Sequence, residues 1–421
     1  MRLTEAEERM LAGGEGEAVR RALQLQLAVG EFFGAADFVP IHSAHLMAEI
    51  ESMGDAGLAF VEDLAALGAR VRVPTTCNPR SVDFVRWEAL GQERRQVERE
   101  ARLSRALGAM DVLVVDTCIN YQTIQPPLFG EHLAWGDTGT VIFANSVAGA
   151  RSNFEGGPVA LAAGITGRTP RYGYHLPEQR RGTVLVEVRD QPTTRADWSA
   201  LGCAIGRQVR DYWQVPVITG IAGAPTGEEL KHLGAALASY GSLALFHMVG
   251  VTPEARTVEE AFGGHPKTRL GAGAPPRRMV LEPGALAAIY RSFAPARARP
   301  DLVVFSAPQL SLLELRDLAR ALHGRRVHPE VRLIATTNYH NYAVAAYLGH
   351  VGVIEEAGGL VVAGACFYLL TPRELAERFG YHTIVTDSAK LANIIAGYDY
   401  HPVFRPTEVC IEAAIEGRLR W

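Results

Sequence analysis

The sequence predicts an α/β protein built on mainly parallel sheets. Short runs such as LVVF, RLIATT and LVVAGA are apolar throughout rather than alternating, the pattern of strands buried on both faces. Helical patterns such as EELKHLGAALASYG and SLLELRDLARALHG lie between them, giving the alternation expected of parallel sheets. Seven runs end directly in turns rich in Ser, Thr, Asn, Asp or Cys. In open α/β sheets ligands bind beyond the carboxyl ends of strands, so these turns imply one polar site.

Taken in order, residues 1–34 read as charged amphipathic helix with a Gly-rich break. Strands are expected at 69–76, 110–117, 139–146, 182–188, 216–221, 242–250, 300–307, 331–337, 359–366 and 382–388. Helical patterns fill 81–100, 228–241, 311–324, 341–358 and 388–397. Residues 168–200 suggest a connection or an antiparallel excursion. The Gly-, Pro- and Arg-rich stretch 263–279 is the best linker, dividing a region 1–262 from a second α/β region 280–421. Its GAGAP lacks the following Gly-Lys-Ser/Thr of a phosphate loop.

With 421 residues there is room for two or three cores, and a net charge of −4 gives no basic surplus for nucleic acid or an anionic membrane. No apolar run reaches the roughly 18–20 residues of a membrane span. The start has no signal-peptide pattern, so the expected location is the cytoplasm. The five cysteines, Cys77, Cys118, Cys203, Cys366 and Cys410, are scattered and odd in number, which argues against a disulfide framework. Each suits a small buried hydrophobe unless its surroundings say otherwise.

The densest polar stretch is 116–157, with Cys118, Glu131, His132, Asn145, Ser146, Arg151, Asn153 and Glu155 among glycines. Buried polar groups need partners, so this density beside apolar strands reads as an active-site wall. In it Arg151 suits a carboxylate, Glu131 and His132 suit proton transfer or orientation, and Cys118 suits a metal. Ser43 and His45 suit helix caps as well as site positions. Lys390 suits an anionic substrate group or a solvated helix face.

The stretch GEHLAWGDTGTVIFANSVAGARSNFEGGP resembles the signature of the aconitase X family. SAHL, GDAGLAFVEDL, VPTTCNPRSVD, FHMVGVTPEA, PQLSLLEL and TDSAK agree with it, in the same order along essentially the whole chain. The resemblance implies an aconitase-like multidomain α/β/α fold and a hydro-lyase. One branch dehydrates cis-3-hydroxy-L-proline and an archaeal branch dehydrates mevalonate 5-phosphate. It further implies an iron–sulfur cluster, [2Fe-2S] or [4Fe-4S], and a small swivelling domain, fused or separate, that completes the site. Because the chain ends at Trp421 soon after the last matching segment, the large subunit of a two-part enzyme is expected.

Carried over residue by residue, Cys118 and Cys366 stand where the family has cluster ligands. At the third ligand this sequence has Ala307, with Gln309 at a family histidine; Cys77, in its TTCNPRS turn, is favoured over Cys203 as the substitute. Thr75 and Thr76 beside it, and Ser388 with Lys390 in TDSAK, join Ser43, His45, Asn145, Ser146, Asn153 and Glu155 as substrate-binding candidates. The expected reaction is dehydration of a small hydroxy acid, with cis-3-hydroxy-L-proline favoured by TCINYQ and GEHLAWGDTGTVIFANS. Mevalonate 5-phosphate is the alternative substrate, and a cluster-free binding or scaffold protein is the alternative class.

Overall fold

The computed structural model describes residues 1–264, 277–295 and 297–419. Among these residues three sheets are wholly parallel, as the unalternating apolar runs predict. The first joins β2 (Ser43–Leu46), β3 (Thr75–Cys77) and β4 (Leu133–Trp135) in the order β3-β2-β4, with an antiparallel pair, β1 (Phe38–Pro40) and β5 (Arg168–Pro170), beside it. The second joins β6 (Val184–Val188), β7 (Pro216–Thr219), β8 (His247–Met248) and β9 (Arg277–Leu281) in the order β8-β7-β6-β9. The third joins β10 (Leu302–Leu310), β11 (Arg332–Thr337), β12 (Gly359–Ala363), β13 (Thr383–Thr386) and β14 (His401–Phe404) in the order β12-β11-β10-β13-β14.

Several expectations change: the helix expected over 81–100 begins only at Arg94, the strands expected over 69–76 and 242–250 shrink to Thr75–Cys77 and His247–Met248, and three further differences bear on the site. Residues 139–146 are helix, not strand: Asp137 caps the N-terminus by accepting from the Gly139 N–H at 3.0 Å, and a π-helical turn, Ala144–Ala148, continues Thr138–Phe143. The β-branched Thr140, Val141 and Ile142 fill the interior there, so burial overrides propensity. Residues 110–117 run beside β3, joined to it by a bridge between Leu113 and Thr76 and a hydrogen bond from Thr117 N–H to the Cys77 carbonyl, without forming a strand. Of the stretch expected as linker, 277–279 belong to β9, which pairs with β6, and 265–276 lie outside the described residues.

Two helices, Arg195–Val209 and Gly227–Gly241, pack closely against one another under the second sheet. A Cβ on Gly202 would lie 2.5 Å from the Leu233 carbonyl, so the glycine is what lets the backbones approach. Cys203 sits inside this packing, in a core with Leu201, Ile205, Leu233 and Leu237. Each such side chain contributes about 1.5–3 kcal/mol of burial before entropy. The second helix thereby presents Lys231 and His232 to the third sheet. No helix among the described residues is long and apolar enough to cross a membrane.

Candidate active site

Six segments meet beyond the carboxyl ends of the first and third sheets. His45 lies in β2, Asp137 follows β4, and Cys118 follows the extended 112–117 segment. Ala307 and Gln309 come from the last turns of β10, Cys366 from just past β12, and Lys390 from the first turn of the helix Ala389–Ile395 after β13. Strand ends supply every one of them, which is the site position the sequence pattern predicts.

A buried ion pair lies at the centre: Lys390 Nζ is 3.4 Å from Asp137 Oδ1, and both side chains are almost wholly buried. Burial alone would lower the Lys390 pKa, but Asp137, Cys118 and Cys366 outweigh it and raise it. Lys390 is thus an ammonium facing two thiols. Burial pushes the Cys118 thiol well up, with Asp137 and Cys366 adding to it. Burial likewise pushes Cys366 up to about 11, against the opposing Ser306 hydrogen bond and Lys390.

Gln309 holds this arrangement together. Its Oε1 accepts from the Cys118 N–H at 3.2 Å, and its Nε2 faces the carbonyls of Asp116, Thr337 and Ala365 at 3.1–3.2 Å. Its own N–H points at Cys118 Sγ, 3.2 Å away. The backbone is strained at three non-glycine positions here, Asp116, Asp137 and Ala307, with φ of +52°, +41° and +54°. Such conformations persist only where the surroundings over-determine them, and they concentrate at functional sites.

His45 has its ring fully buried, with Nδ1 2.8 Å from Thr76 Oγ1. Burial depresses its pKa to about 4, Asp137 only partly opposing. Two polar atoms of this wall, His45 Nε2 and Asp137 Oδ2, are buried with no protein partner. Ser388 caps its helix by accepting from the Leu391 N–H and donates to the Ala307 carbonyl at 2.6 Å.

The remaining predicted residues make contacts of their own. Glu131, His132 and Arg151 stand at the amino end of β4, where Arg151 N–H donates to Glu131 O at 2.8 Å and His132 Nδ1 meets His175 Nδ1 at 2.9 Å. Roughly 10 Å of strand rise separates His132 from the far end of β4, where Asp137 follows. Burial lowers the His132 pKa to about 4, with Arg151 adding to it. Asn145, Ser146 and Asn153 are staples. Asn145 ties Ser152 to Ala244, Ser146 Oγ accepts from Phe246 N–H, and Asn153 accepts from Tyr174 N–H and the Tyr212 hydroxyl. Ser43 accepts from the Trp135 indole, Thr75 donates to Val73 O, and Glu155 accepts from Thr169.

Sequence reasoning missed Asp137 and Gln309 as site residues. The signals were there: an Asp immediately before Thr-Gly-Thr is a cap, and a lone amide in a nine-residue strand buried along its whole length needs a polar destination.

Family models agree with this architecture. Residues 1–178 match the aconitase X first domain, 182–272 the second and 300–416 the third. The chain belongs to the aconitase X family. Among aconitase X relatives, the phosphomevalonate dehydratase large subunit of Methanothermobacter thermautotrophicus is 38% identical over 396 residues, 94% of each chain. The cis-3-hydroxy-L-proline dehydratase of Pseudomonas aeruginosa is 37% identical over 421 residues, covering 99% of this chain and 70% of that one. The crystal structure of Thermococcus kodakaraensis aconitase X in its holo-form superposes with a TM-score of 0.86 at 32% identity, over 98% of this chain and all of that one.

The aconitase X resemblance implies a cluster anchored by three thiolates, and the donor set can be tested for it. Cys118 and Cys366 share one ammonium, Lys390, which has no lone pair to offer a metal. Ala307 carries no donor. Cys77, expected as the third ligand, lies in the core of the first domain, its thiol donating to Asp116 Oδ1 at 3.5 Å. Among the described residues no three His, Cys, Asp or Glu side chains converge as metal ligands. A three-thiolate cluster therefore does not fit the residues this chain brings together.

Proposed function

We propose that the chain is the large subunit of a two-part hydro-lyase that dehydrates cis-3-hydroxy-L-proline to a pyrroline carboxylate. The observation that carries the reading is the buried Lys390–Asp137 pair at the convergence of parallel strand ends. Removing water from a hydroxy acid needs a proton taken α to the carboxylate and a proton given to the departing hydroxyl. Lys390, kept charged by its buried pairing with Asp137, is the donor. Charge matching supports the substrate class. The cations near these strand ends are already paired, Lys390 with Asp137 and Arg80 with Asp116 at 3.0 Å. A substrate bringing one carboxylate and its own ammonium suits such a site better than one bringing a phosphate as well.

The small swivelling subunit is the proposed partner, since relatives of nearly this length are named large subunits and the longer Pseudomonas relative extends well beyond the matched region. The second reading is a mevalonate 5-phosphate dehydratase, favoured by those same large subunits. Action in the cytoplasm suits five free cysteines.

The test is a substrate comparison on the anaerobically purified chain, alone and with its small subunit. Pyrroline carboxylate formed from cis-3-hydroxy-L-proline only when both subunits are present supports the proposal. Turnover of mevalonate 5-phosphate instead transfers it to the second reading. Full turnover by the large chain alone removes the need for a partner. No turnover of any hydroxy acid leaves a binding or scaffold protein.

A further inference from the structure

We infer that His45 is the base that removes the substrate's α-proton, through an Nε2 lone pair that the hydrogen-bond chain behind its ring leaves bare. The inference rests on the dehydratase reading above. Gln125 Nε2 donates to the Pro74 carbonyl at 3.1 Å, which turns Gln125 Oε1 toward Thr76. The Thr76 hydroxyl donates to that oxygen at 3.2 Å. Its single proton is then spent, and the imidazole nitrogen 2.8 Å away must be the donor to its oxygen. Nδ1 therefore carries the ring proton. In a neutral imidazole the other nitrogen is then an acceptor.

That other nitrogen, Nε2, is buried and has no protein partner, which in a folded interior calls for an explanation. A reacting C–H is one that needs no hydrogen-bond donor on the protein. Burial keeps the ring neutral at pH 7, so it is a base in the form in which it must start. The groups around it suit the charged form that follows. Asp137, beyond the neighbouring β4, favours the imidazolium, and its Oδ2 is the second unpartnered atom of the wall. The Trp135 ring centroid, from the paired position on β4, lies 6.1 Å away. His132, the histidine that sequence reasoning favoured, has its Nδ1 engaged by His175 at the far end of β4.

The step balances on residues of this chain. The C–H pair becomes the carbon–carbon double bond while the proton goes to His45 Nε2. The C–O pair leaves with the hydroxyl oxygen, which takes a proton from Lys390 and departs as water. His45 ends as imidazolium and Lys390 as amine, and exchange with the released water restores both.

The experiment uses the complete two-subunit enzyme with cis-3-hydroxy-L-proline in D2O, comparing the parent with His45→Asn and Thr76→Val. The Asn amide keeps the donor to Thr76 but has no base at the Nε2 position. General-base loss is worth about 10²–10⁴ in rate, so His45→Asn is expected to lower kcat by at least about 100-fold at similar KM and to abolish deuterium entry at the α-carbon. Thr76→Val, which frees the ring to change tautomer, is expected to lose about tenfold and to keep the exchange. A His45→Asn enzyme that keeps kcat within tenfold, or keeps the exchange, overturns the assignment. Nitrogen-15 NMR of the His45 ring, which needs no turnover, is expected to show protonated Nδ1 and bare Nε2 near pH 7; the reverse tautomer overturns it. A parent inactive on every hydroxy acid, with the tautomer as expected, defeats the proposed function while leaving the poised base in place.

Discussion

Cys118 and Gln309 exchange two hydrogen bonds across the boundary between the first and third domains. The amide oxygen accepts from the Cys118 N–H, and the Gln309 N–H points at the thiol. The same amide reaches the Ala365 carbonyl, one residue before Cys366, so one side chain sets both thiols relative to each other. Replacing it with Met keeps length and volume but takes the amide partner from the Cys118 N–H and from the Asp116 and Ala365 carbonyls, while the Thr337 carbonyl keeps the Gly364 N–H. Unsatisfied buried groups cost about 1–3 kcal/mol each, so Gln309→Met is expected to lose at least about 2 kcal/mol in urea unfolding. Wild-type stability in that variant would show that the clamp is dispensable.

A second buried network ties the second domain to the third. Lys231 Nζ donates to Gln309 O at 3.0 Å and pairs with Glu314, which also receives His232 Nε2 at 2.8 Å. Lys231→Met would strand the Glu314 charge, and breaking one side of a buried pair costs about 3–5 kcal/mol. The double variant Lys231→Met/Glu314→Gln is expected to recover much of that loss. Equal losses in the single and double variants would show that the ion pair is not the source.

The same network gives a pH dependence. Burial would raise the Glu314 pKa, but Lys231, His232 and Arg195 outweigh it, so the folded value lies below the ordinary 4.5. Its stability contribution is therefore complete above about pH 4.5 and is lost as pH falls toward the folded value. Acid unfolding of Glu314→Gln should be shallower than that of the parent below pH 4.5; identical acid limbs would refute this.

Glu49 runs the other way. Its carboxyl is fully buried, bonded by Ser52 and by Asn78 Nδ2 at 2.7 Å, and burial raises its pKa from 4.5 to about 7. The folded state favours the protonated form, so stability present below pH 4.5 is lost as pH rises to about 7 and then levels off. Glu49→Gln stays neutral throughout. Relative to the parent, it should gain about 1–3 kcal/mol between pH 5 and pH 8. A difference that does not change with pH would rule this out.

What the sequence disclosed and what it hid have the same physical origin. The parallel sheets were legible because LVVF, RLIATT and LVVAGA are buried on both faces, and the strand-end turns led directly to Cys118, Cys366 and Lys390. The stretch 116–157 was read as one wall because its polar density is real, but density does not say where each group points. Asn145 and Ser146 spend their capacity on backbone at the junction with the second domain, and Asn153 on Tyr172, Tyr174 and the Tyr212 hydroxyl. His132 and Arg151 flank β4 at the end opposite Asp137. Helix 138–148 was hidden because Thr140, Val141 and Ile142 favour strands in isolation, and only the Asp137 cap spoke against it.

The cysteines give the last prediction. Cys118 and Cys366 lie in one electrostatic group with Lys390, whereas Cys77 is held in the first core with its thiol on Asp116, and Cys203 and Cys410 are packed among apolar side chains of the other two cores. An iron centre needs thiolates that can reach one small cluster. Any iron this chain retains after anaerobic reconstitution should therefore depend on Cys118 and Cys366 and be indifferent to Cys77. Iron counting and visible absorbance on Cys118→Ser, Cys366→Ser and Cys77→Ser check this directly. Iron falling to background in the first two and persisting in the third is the expected outcome. If Cys77→Ser loses its iron while folding normally, the first domain must rearrange to bring that thiol over from Asp116, and the two-thiol arrangement described here is not the metal-bound one.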